Sequence, residues 1–582
     1  MRFFSGQPLP ARAELAVVLA VVLGILAWLS DKAFTVDDPL FLWMGAHLQR
    51  EPLDFFGFDV NWNASQLPMH EVTQNPPLTG YFIAVVARVL GWSEVALHGA
   101  FLLPAAVAAA FTWLLARRLC ARPLEASLIS LLTPVFLVSS TNVMCDTSML
   151  ACWCGSLWCW VTGFDRRRAR WWVAASLLAA LAFLTKYYGI ALVPLLLAYG
   201  LLRERRLGAW CLLLLLPLVT AVGYDRLTAA LYGGGQLVEA VVYAGGFREV
   251  AQQTLLHRTV VGLVFVGGCL LPALCFAPLL WPRAVWLAGL AVCGAGLLAW
   301  GPVSAAVGVD FQDPFTAEIF RDHGPPRALA AQFLIFAAGG VSMVALPITD
   351  VWRRRDPDAA LLALWVLGTL VFATFINWVN NGRSILPVAP ALGILVMRRL
   401  APASGPDPAR GVGPALAFAT GAAVAVLVAH ADYRWANGVR DTARMLAERH
   451  LGPGHRTLFL GNWGWQYYLE QAGATAVDQE NWPRRGDRLL TAHNNSDFRM
   501  PPLPWVRLIE QLQVEEPRHL RTMTRYVAGF YAHNVGPLPF AWSPPRPDRY
   551  YVWEARNAFR LRPRPLLGLS VLEDPLAGDQ SR

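Results

Sequence analysis

Long apolar segments alternate with short polar ones over the first 430 residues of the chain. The first apolar run, Leu15 to Leu29, is long enough with its flanks to cross a bilayer as a helix, and we expect it to be retained as an anchor. Basic clusters follow alternate apolar segments, which places those loops in the cytoplasm under the positive-inside rule. The clusters lie at 117–122, 166–170, 203–206, 283, 353–355 and 398–399. The pattern predicts a mainly α, polytopic membrane protein of roughly thirteen spans, with its N-terminus inside and its C-terminus outside.

Two long regions are predicted on the outer side. The first, about 31–99, contains apolar stretches that fit helices lying along the membrane interface, at Leu40 to Leu48 and Leu78 to Leu90. It would belong to a transmembrane domain over 1–430. The second, 431–582, is rich in Pro, Arg and Trp and has no further apolar span.

Short runs within this second region resemble strands and helices in turn. Thr457 to Leu460 and Arg549 to Trp553 are β-like, whereas Trp463 to Ala472 is helical in pattern. We therefore predict a small extracytoplasmic C-terminal α/β domain.

The composition supports a membrane protein and excludes other classes. Of the 582 residues 55% are hydrophobic and only 15% are charged, with a mean hydropathy of +0.40, whereas about a quarter of a soluble chain is charged. The net charge is +9, and much of the Arg sits in short clusters between apolar segments, as topology signals do, so the charge does not indicate nucleic-acid binding. The nine Cys lie in or beside apolar runs and fit neither a disulfide framework nor a zinc site.

Two adjacent carboxylates, Asp37 and Asp38, follow the first apolar run. Neighbouring carboxylates repel each other and do not anchor a helix, which suggests a use beyond stability. The alternative is that one of them caps the helix that follows Pro39.

Four further polar residues lie at the predicted outer ends of spans or in the first outer region. Lys186 is one of only two lysines in an Arg-rich chain, and a compact cation suits a phosphate, although it could also snorkel to the surface. Asp146 could act chemically or cap the following helix, and Arg383 could act or lie exposed in a loop. Asn75, before Pro76 and Pro77, could instead simply open a helix.

This ordered set resembles the GT-C superfamily of integral-membrane glycosyltransferases, in particular the protein O-mannosyltransferase and aminoarabinose-transferase-like (Rgt-type) group. The resemblance rests on the following residues: Asp37-Asp38, Asn75-Pro76-Pro77-Leu78, Asp146, Lys186-Tyr187, Arg383 with Leu386-Pro387, and the segment from Gly461 to Tyr468. Asp38, Asn75 and Ser384 depart from residues often found at these places in the family, which leaves the identity of the donor open.

The resemblance implies transfer of a sugar, with inversion, from a polyprenyl-phosphate carrier to a hydroxyl acceptor. Asp37 would be the catalytic base and Asp38 would assist it. Lys186, Arg383 and Asn75 would bind the donor phosphate, with Asp146 and His70 orienting the substrates. This chemistry requires no cofactor, and a divalent metal held by Asp37, Asp38, His70 and Glu71 is left open as an alternative.

The expected setting is a bacterial inner membrane, because the Arg-rich, Lys-poor composition favours a bacterial chain and hence undecaprenyl phosphate as carrier. The acceptor would be lipopolysaccharide, another envelope glycan or lipid, or a protein. Two other functions compete with this one. A lipid or small-molecule transporter would require charges near the bilayer midplane, and an inactive envelope scaffold would not need the charged set.

Overall fold

Helices bundled side by side form most of this computed structural model, which describes residues 9–251, 253–312, 326–400, 411–496, 498–514, 519–543 and 547–560. The last 22 residues of the predicted C-terminal domain, 561–582, lie outside the described residues.

The first half of the bundle runs from α1 to α10. The helices are α1 Ala11–Trp28, α2 Asp38–Leu48, α3 Met69–Val72, α4 Leu78–Leu90, α5 Glu94–Leu119, α6 Pro123–Leu131, α7 Pro134–Ser140, α8 Cys145–Arg166, α9 Ala169–Thr185 and α10 Leu192–Glu204. A short hairpin, β1 Asp59–Asn61 with β2 Gln66–Pro68, lies between α2 and α3. The two predicted interfacial stretches are therefore helical, as α2 and α4.

The second half of the bundle runs from α11 to α22. The helices are α11 Leu215–Tyr232, α12 Gln236–Ala251, α13 Leu255–Cys269, α14 Pro272–Cys275, α15 Ala277–Leu280, α16 Arg283–Leu298, α17 Trp300–Val307, α18 Pro326–Arg354, α19 Pro357–Val371, α20 Gly382–Ile385, α21 Ala389–Leu400 and α22 Val412–His450. Because α22 runs through residue 430 without a break, the predicted boundary between 1–430 and 431–582 falls inside one helix.

Six helices in the described part of the chain are long and apolar enough to cross a membrane, or eight if each of two bent helix pairs counts as one span. The six are Ala11–Trp28, Glu94–Leu119, Ala209–Tyr232, Arg327–Arg354, Pro357–Ile376 and Val412–His450. The chain is thus a multi-pass membrane protein. The total of about thirteen spans and the orientation of the ends stay predictions.

Beyond α22 the chain forms a mixed sheet of five strands: β3 Thr457–Leu460, β4 Thr475–Ala476, β5 Arg488–Ala492, β6 Val506–Val514 and β11 Asp548–Ala555. The strand order in the sheet is β4-β3-β5-β11-β6, and α23 Trp463–Gln471 lies between β3 and β4 in the chain. β3 is parallel to β4 and β5, and β11 is antiparallel to β5 and β6. Four two-residue strands lie between β6 and β11: β7 Leu520–Arg521, β8 Met523–Thr524, β9 Ala528–Gly529 and β10 Ala541–Trp542. The two β-like runs and the helical run predicted here are confirmed as β3, part of β11 and α23.

One apolar core joins the bundle to this C-terminal region. Buried side chains from α1, α5, α8 and α21 continue without a break into Trp465 and Tyr531. A smaller cluster that includes Leu458, Leu489 and Trp553 packs within the sheet. Continuous burial of this kind fixes the C-terminal region against the helix ends, where the charged residues lie.

Candidate active site

The loop between α1 and α2 carries Asp37 in a constrained conformation. Val36 has φ of +49°, a left-handed conformation that β-branched residues rarely adopt. Such a conformation persists only where the surrounding structure fixes the backbone. Here the Phe34 amide donates to the Tyr468 hydroxyl at 2.8 Å, and the Thr35 amide donates to Asp38 Oδ2 at 2.8 Å.

Asp38 is fully buried, and both of its oxygens are occupied. Oδ2 accepts the Thr35 amide, and Oδ1 accepts the Val143 amide from the turn between α7 and α8, also at 2.8 Å. Burial raises the pKa of Asp38 to about 7, against the opposing effect of the Lys32 ammonium. In this geometry Asp38 joins two loops, whereas its neighbour Asp37 is partly exposed. The predicted helix cap is not made by either side chain, although α2 begins at Asp38 with Pro39 in its first turn.

Arg383 lies beside Asp37. The four-residue helix α20 is capped by Asn381, whose side chain accepts the Ser384 amide at 2.8 Å. This cap presents Arg383 inward, so that its Nη2 donates to Asp37 Oδ2 at 2.7 Å. Only 13% of the Arg383 side chain is exposed, so it is not a free loop residue.

A second ion pair adjoins the first. Asp146, in the first turn of α8, pairs with Lys186, which follows the last residue of α9, at 2.5 Å between Oδ1 and Nζ. The antiparallel packing of α8 on α9 brings these two ends together. Arg383 Nη1 lies 3.9 Å from Asp146 Oδ2, so the guanidinium connects both pairs. The structure therefore gathers four of the predicted residues into one cluster, which we call the charge cluster: Asp37, Asp146, Lys186 and Arg383.

Two buried polar atoms of the charge cluster have no hydrogen-bond partner among the described residues. They are Arg383 Nε and Asp146 Oδ2. Leaving a buried donor or acceptor unsatisfied costs about 1–3 kcal/mol. Such atoms, in a group of two carboxylates and two cations, indicate a place for a polar ligand.

The two other predicted residues lie differently. Asn75 Oδ1 accepts the Cys145 thiol at 3.7 Å, next to Asp146. His70 stacks on Tyr232 with 5.1 Å between ring centroids and lines a groove of about 400 Å³ that also includes Phe56, Phe58 and Asp59. Asn75 therefore lies beside the charge cluster, through its contact with Cys145. The described contacts of His70 are with Tyr232 and the groove. Within the described ranges, no three His, Cys, Asp or Glu side chains are grouped closely enough to hold a metal ion. The four candidate ligands, Asp37, Asp38, His70 and Glu71, therefore do not form a metal site in this structure.

Sequence reasoning missed a buried group next to the charge cluster. Lys32 is completely buried and pairs with Asp432 of α22 at 2.6 Å. Its Nζ also donates to Asn142 Oδ1 at 2.6 Å and lies 3.4 Å from the Tyr531 hydroxyl. Its rarity could have drawn attention to it, because Lys32 and Lys186 are the two lysines of the chain. The residues near Lys32 in sequence, however, do not indicate which side chains it pairs with.

The segment from Gly461 to Tyr468 touches the loop that carries Asp37. A Cβ on Gly464 would lie 2.2 Å from the Phe34 carbonyl oxygen, so only glycine permits this approach. The segment from Gly461 to Tyr468 therefore packs against the loop between α1 and α2 and supports it.

The comparisons with known proteins point to one fold. Residues 74–223, about a quarter of the chain, match the family model described as dolichyl-phosphate-mannose-protein mannosyltransferase. The crystal structure of ArnT from Cupriavidus metallidurans bound to undecaprenyl phosphate is similar, with a TM-score of 0.51 and 17% identity over 83% of this chain and 94% of that one. No curated protein sequence matches at a significant level.

Two other solved structures are similar at lower scores. An oligosaccharyltransferase from Archaeoglobus fulgidus, tethered with an acceptor peptide, gives a TM-score of 0.44 and 13% identity over 80% of this chain and 64% of that one. The arabinofuranosyltransferase AftD from Mycobacteria gives 0.36 and 14% over 94% of this chain and 40% of that one.

Proposed function

We propose that this chain is a membrane glycosyltransferase of the GT-C type, which transfers a sugar from a polyprenyl-phosphate carrier to a hydroxyl acceptor. The family-model match over residues 74–223 and the similarity of the fold to that of ArnT support the proposal. The expected carrier is undecaprenyl phosphate, which the similar ArnT structure contains. The acceptor would be lipopolysaccharide, another envelope glycan or lipid, or a protein. The site would face the periplasm of a bacterial inner membrane.

One observation carries the proposal: Arg383 contacts a partly exposed carboxylate and still has a free donor. Its Nη2 is held by Asp37 at 2.7 Å, and its Nε is buried without a partner in the described part of the chain. A guanidinium presents several donors in one plane and suits phosphate oxygens. In this proposal Arg383 would bind the phosphate, beside Asp37 as the base.

The reaction would be a single displacement. The acceptor oxygen attacks the anomeric carbon, the bond from that carbon to the phosphate oxygen breaks, and the leaving polyprenyl phosphate keeps the electron pair. Asp37 would take the proton of the acceptor hydroxyl. Arg383 and Lys186 would stabilise the charge that grows on the leaving phosphate.

The Asp146–Lys186 ion pair would control the charge that Lys186 offers to the phosphate. Lys186 is neutralised by Asp146 at 2.5 Å before any donor binds. A phosphate would compete with Asp146 for Lys186, and Asp146 would keep the ammonium in place rather than contact the sugar. Asn75 would help to seat the phosphate from the side of Cys145.

The test uses purified protein in liposomes, with a pool of undecaprenyl-phosphate sugars and an envelope extract. Mass spectrometry follows the carrier-linked sugar for the native chain and for Asp37→Asn. Glu51→Gln is the control, since Glu51 is an exposed carboxylate in the loop that follows α2. We expect donor consumption and a glycosylated product for the native chain and the control only. Movement of the donor across the bilayer without sugar transfer would instead support a transporter.

A further inference from the structure

We propose that Tyr531, in the C-terminal region, is a positioning residue for the donor phosphate, because it fixes the orientation of Arg383. The inference rests on the proposed function for the identity of the ligand. Its geometric basis is independent of that function. The Arg383 guanidinium carbon lies 5.7 Å from the centre of the Tyr531 ring, close enough for a cation–π contact.

The Tyr531 ring is itself held by its hydroxyl. The hydroxyl donates to Asp432 Oδ2 at 2.8 Å and accepts from Asn142 Nδ2 at 3.0 Å. Asp432 is in turn the partner of Lys32, and all of these side chains are buried. A tyrosine with a buried, satisfied hydroxyl has little freedom to rotate.

The backbone reinforces the same contact. The Gly382 amide donates to the Phe530 carbonyl at 2.8 Å, so the residues before Arg383 and Tyr531 are joined directly. His533 adds two bonds to Asn380: its amide donates to the Asn380 carbonyl at 2.9 Å, and its Nδ1 accepts the Asn380 amide at 3.1 Å. The short loop that carries Arg383 is thus docked on residues 530–533.

The contact has a specific use in the proposed reaction. Asp37 holds Arg383 through an ionic hydrogen bond, and that bond weakens when Asp37 takes up a proton. The ring of Tyr531 attracts the guanidinium whatever the state of Asp37. Tyr531 therefore keeps Arg383 in place at the moment when the leaving phosphate gains charge.

The experiment measures binding of undecaprenyl phosphate, without sugar, to purified native protein and variants by native mass spectrometry. Tyr531→Leu removes the ring, and Tyr531→Phe keeps the ring and removes its anchor. Tyr433→Phe is the matched control, because Tyr433 adjoins Asp432 and donates to Asp31 on the exposed surface. We expect Tyr531→Leu to bind about tenfold more weakly, Tyr531→Phe to be intermediate, and Tyr433→Phe to bind like the native protein.

Further readouts separate positioning from general damage. Donor KM should rise in Tyr531→Leu while acceptor KM stays unchanged, and the same change should have no added effect in an Arg383→Gln background. Equal binding by native protein and a folded Tyr531→Leu, or equal loss with and without Arg383, would overturn the inference. If Tyr531→Leu fails to fold, native-like binding by Tyr531→Phe overturns it. If the native protein itself does not bind undecaprenyl phosphate, the proposed function fails together with this inference.

Discussion

Lys186 Nζ lies 2.5 Å from Asp146 Oδ1, and the two side chains neutralise each other where α8 begins and α9 ends. Only 2% of the Asp146 side chain is exposed, compared with 20% of that of Lys186. Asp146 is therefore the more dependent partner, since a buried carboxylate needs a counter-ion.

Substitution of Lys186 should lower both the stability of the protein and its transfer activity, and a second substitution at Asp146 should restore only the stability. Lys186→Met leaves Asp146 with Arg383 at 3.9 Å as its nearest cation, and we expect a loss of about 3 kcal/mol in the free energy of unfolding. The double variant Lys186→Met with Asp146→Leu should regain most of that stability and still transfer no sugar. Thermal unfolding in detergent and the transfer assay measure the two effects. A double variant with native activity would show that Lys186 is purely structural.

Arg383→Lys should lower kcat/KM for the donor about 100-fold. A lysine has one charged centre and cannot contact Asp37 while also approaching Asp146 and a phosphate. Steady-state transfer at several donor concentrations measures the loss. Arg444→Lys is the control, because Arg444 is half-exposed on α22. A similar loss in both variants would contradict this role.

Asp38 should give the protein a pH-dependent stability. Its pKa in the folded state is about 7, above the ordinary value of 3.8, so between these values the folded protein binds a proton that the unfolded chain has released. This contribution to stability therefore declines as pH rises from about 4 to 7. Asp38→Asn cannot titrate, and its amide leaves one of two backbone donors without an acceptor.

The measurement is the difference in Tm between native protein and Asp38→Asn from pH 5 to 8. We expect the native protein to be the more stable at pH 5, with the difference narrowing as pH rises. Other buried groups also make stability depend on pH, and the comparison cancels their effects because both proteins contain them. For example, burial lowers the pKa of His533 to about 3, so its contribution to stability rises with pH, whereas that of Asp38 falls. A constant difference would contradict the assignment.

Gly464→Ala should reduce transfer without unfolding the chain. The added methyl would lie 2.2 Å from the Phe34 carbonyl oxygen, so the backbone before Asp37 has to move. A misplacement of about 1 Å can cost about 100-fold in rate. Gly438→Ala is the control, since a methyl there meets open space. Activity and Tm of both variants, measured side by side, decide whether the effect is local.

Part of the site was predictable from the sequence because its residues lie at the ends of apolar segments. Asp37, Asp146, Lys186 and Arg383 each interrupt or flank such a segment, and the alternation of loops put them on one side. The fold class and the helices α2, α4 and α23 followed from the same patterns.

The remainder depends on packing between distant parts of the chain. Asp432 lies 400 positions from Lys32, and Tyr531 lies 499 positions from it. No spacing rule connects such residues, so neither was predicted. The different surroundings of Asp37 and Asp38 were not predictable for a related reason. Asp38 is buried and accepts the amide of Val143, a residue 105 positions away, whereas Asp37 is partly exposed.

The pairing of Lys32 with Asp432 sets an order of events during synthesis. Lys32 is synthesised early and follows the first membrane helix, whereas its counter-ion Asp432 is synthesised 400 residues later. Until then the ammonium has to stay hydrated, since an unpaired buried charge is costly. We therefore expect the loop after α1, although it is made early, to reach its final conformation only after Asp432 has been made. We expect chains that stop before residue 432 to insert their helices and yet lack an ordered loop between α1 and α2.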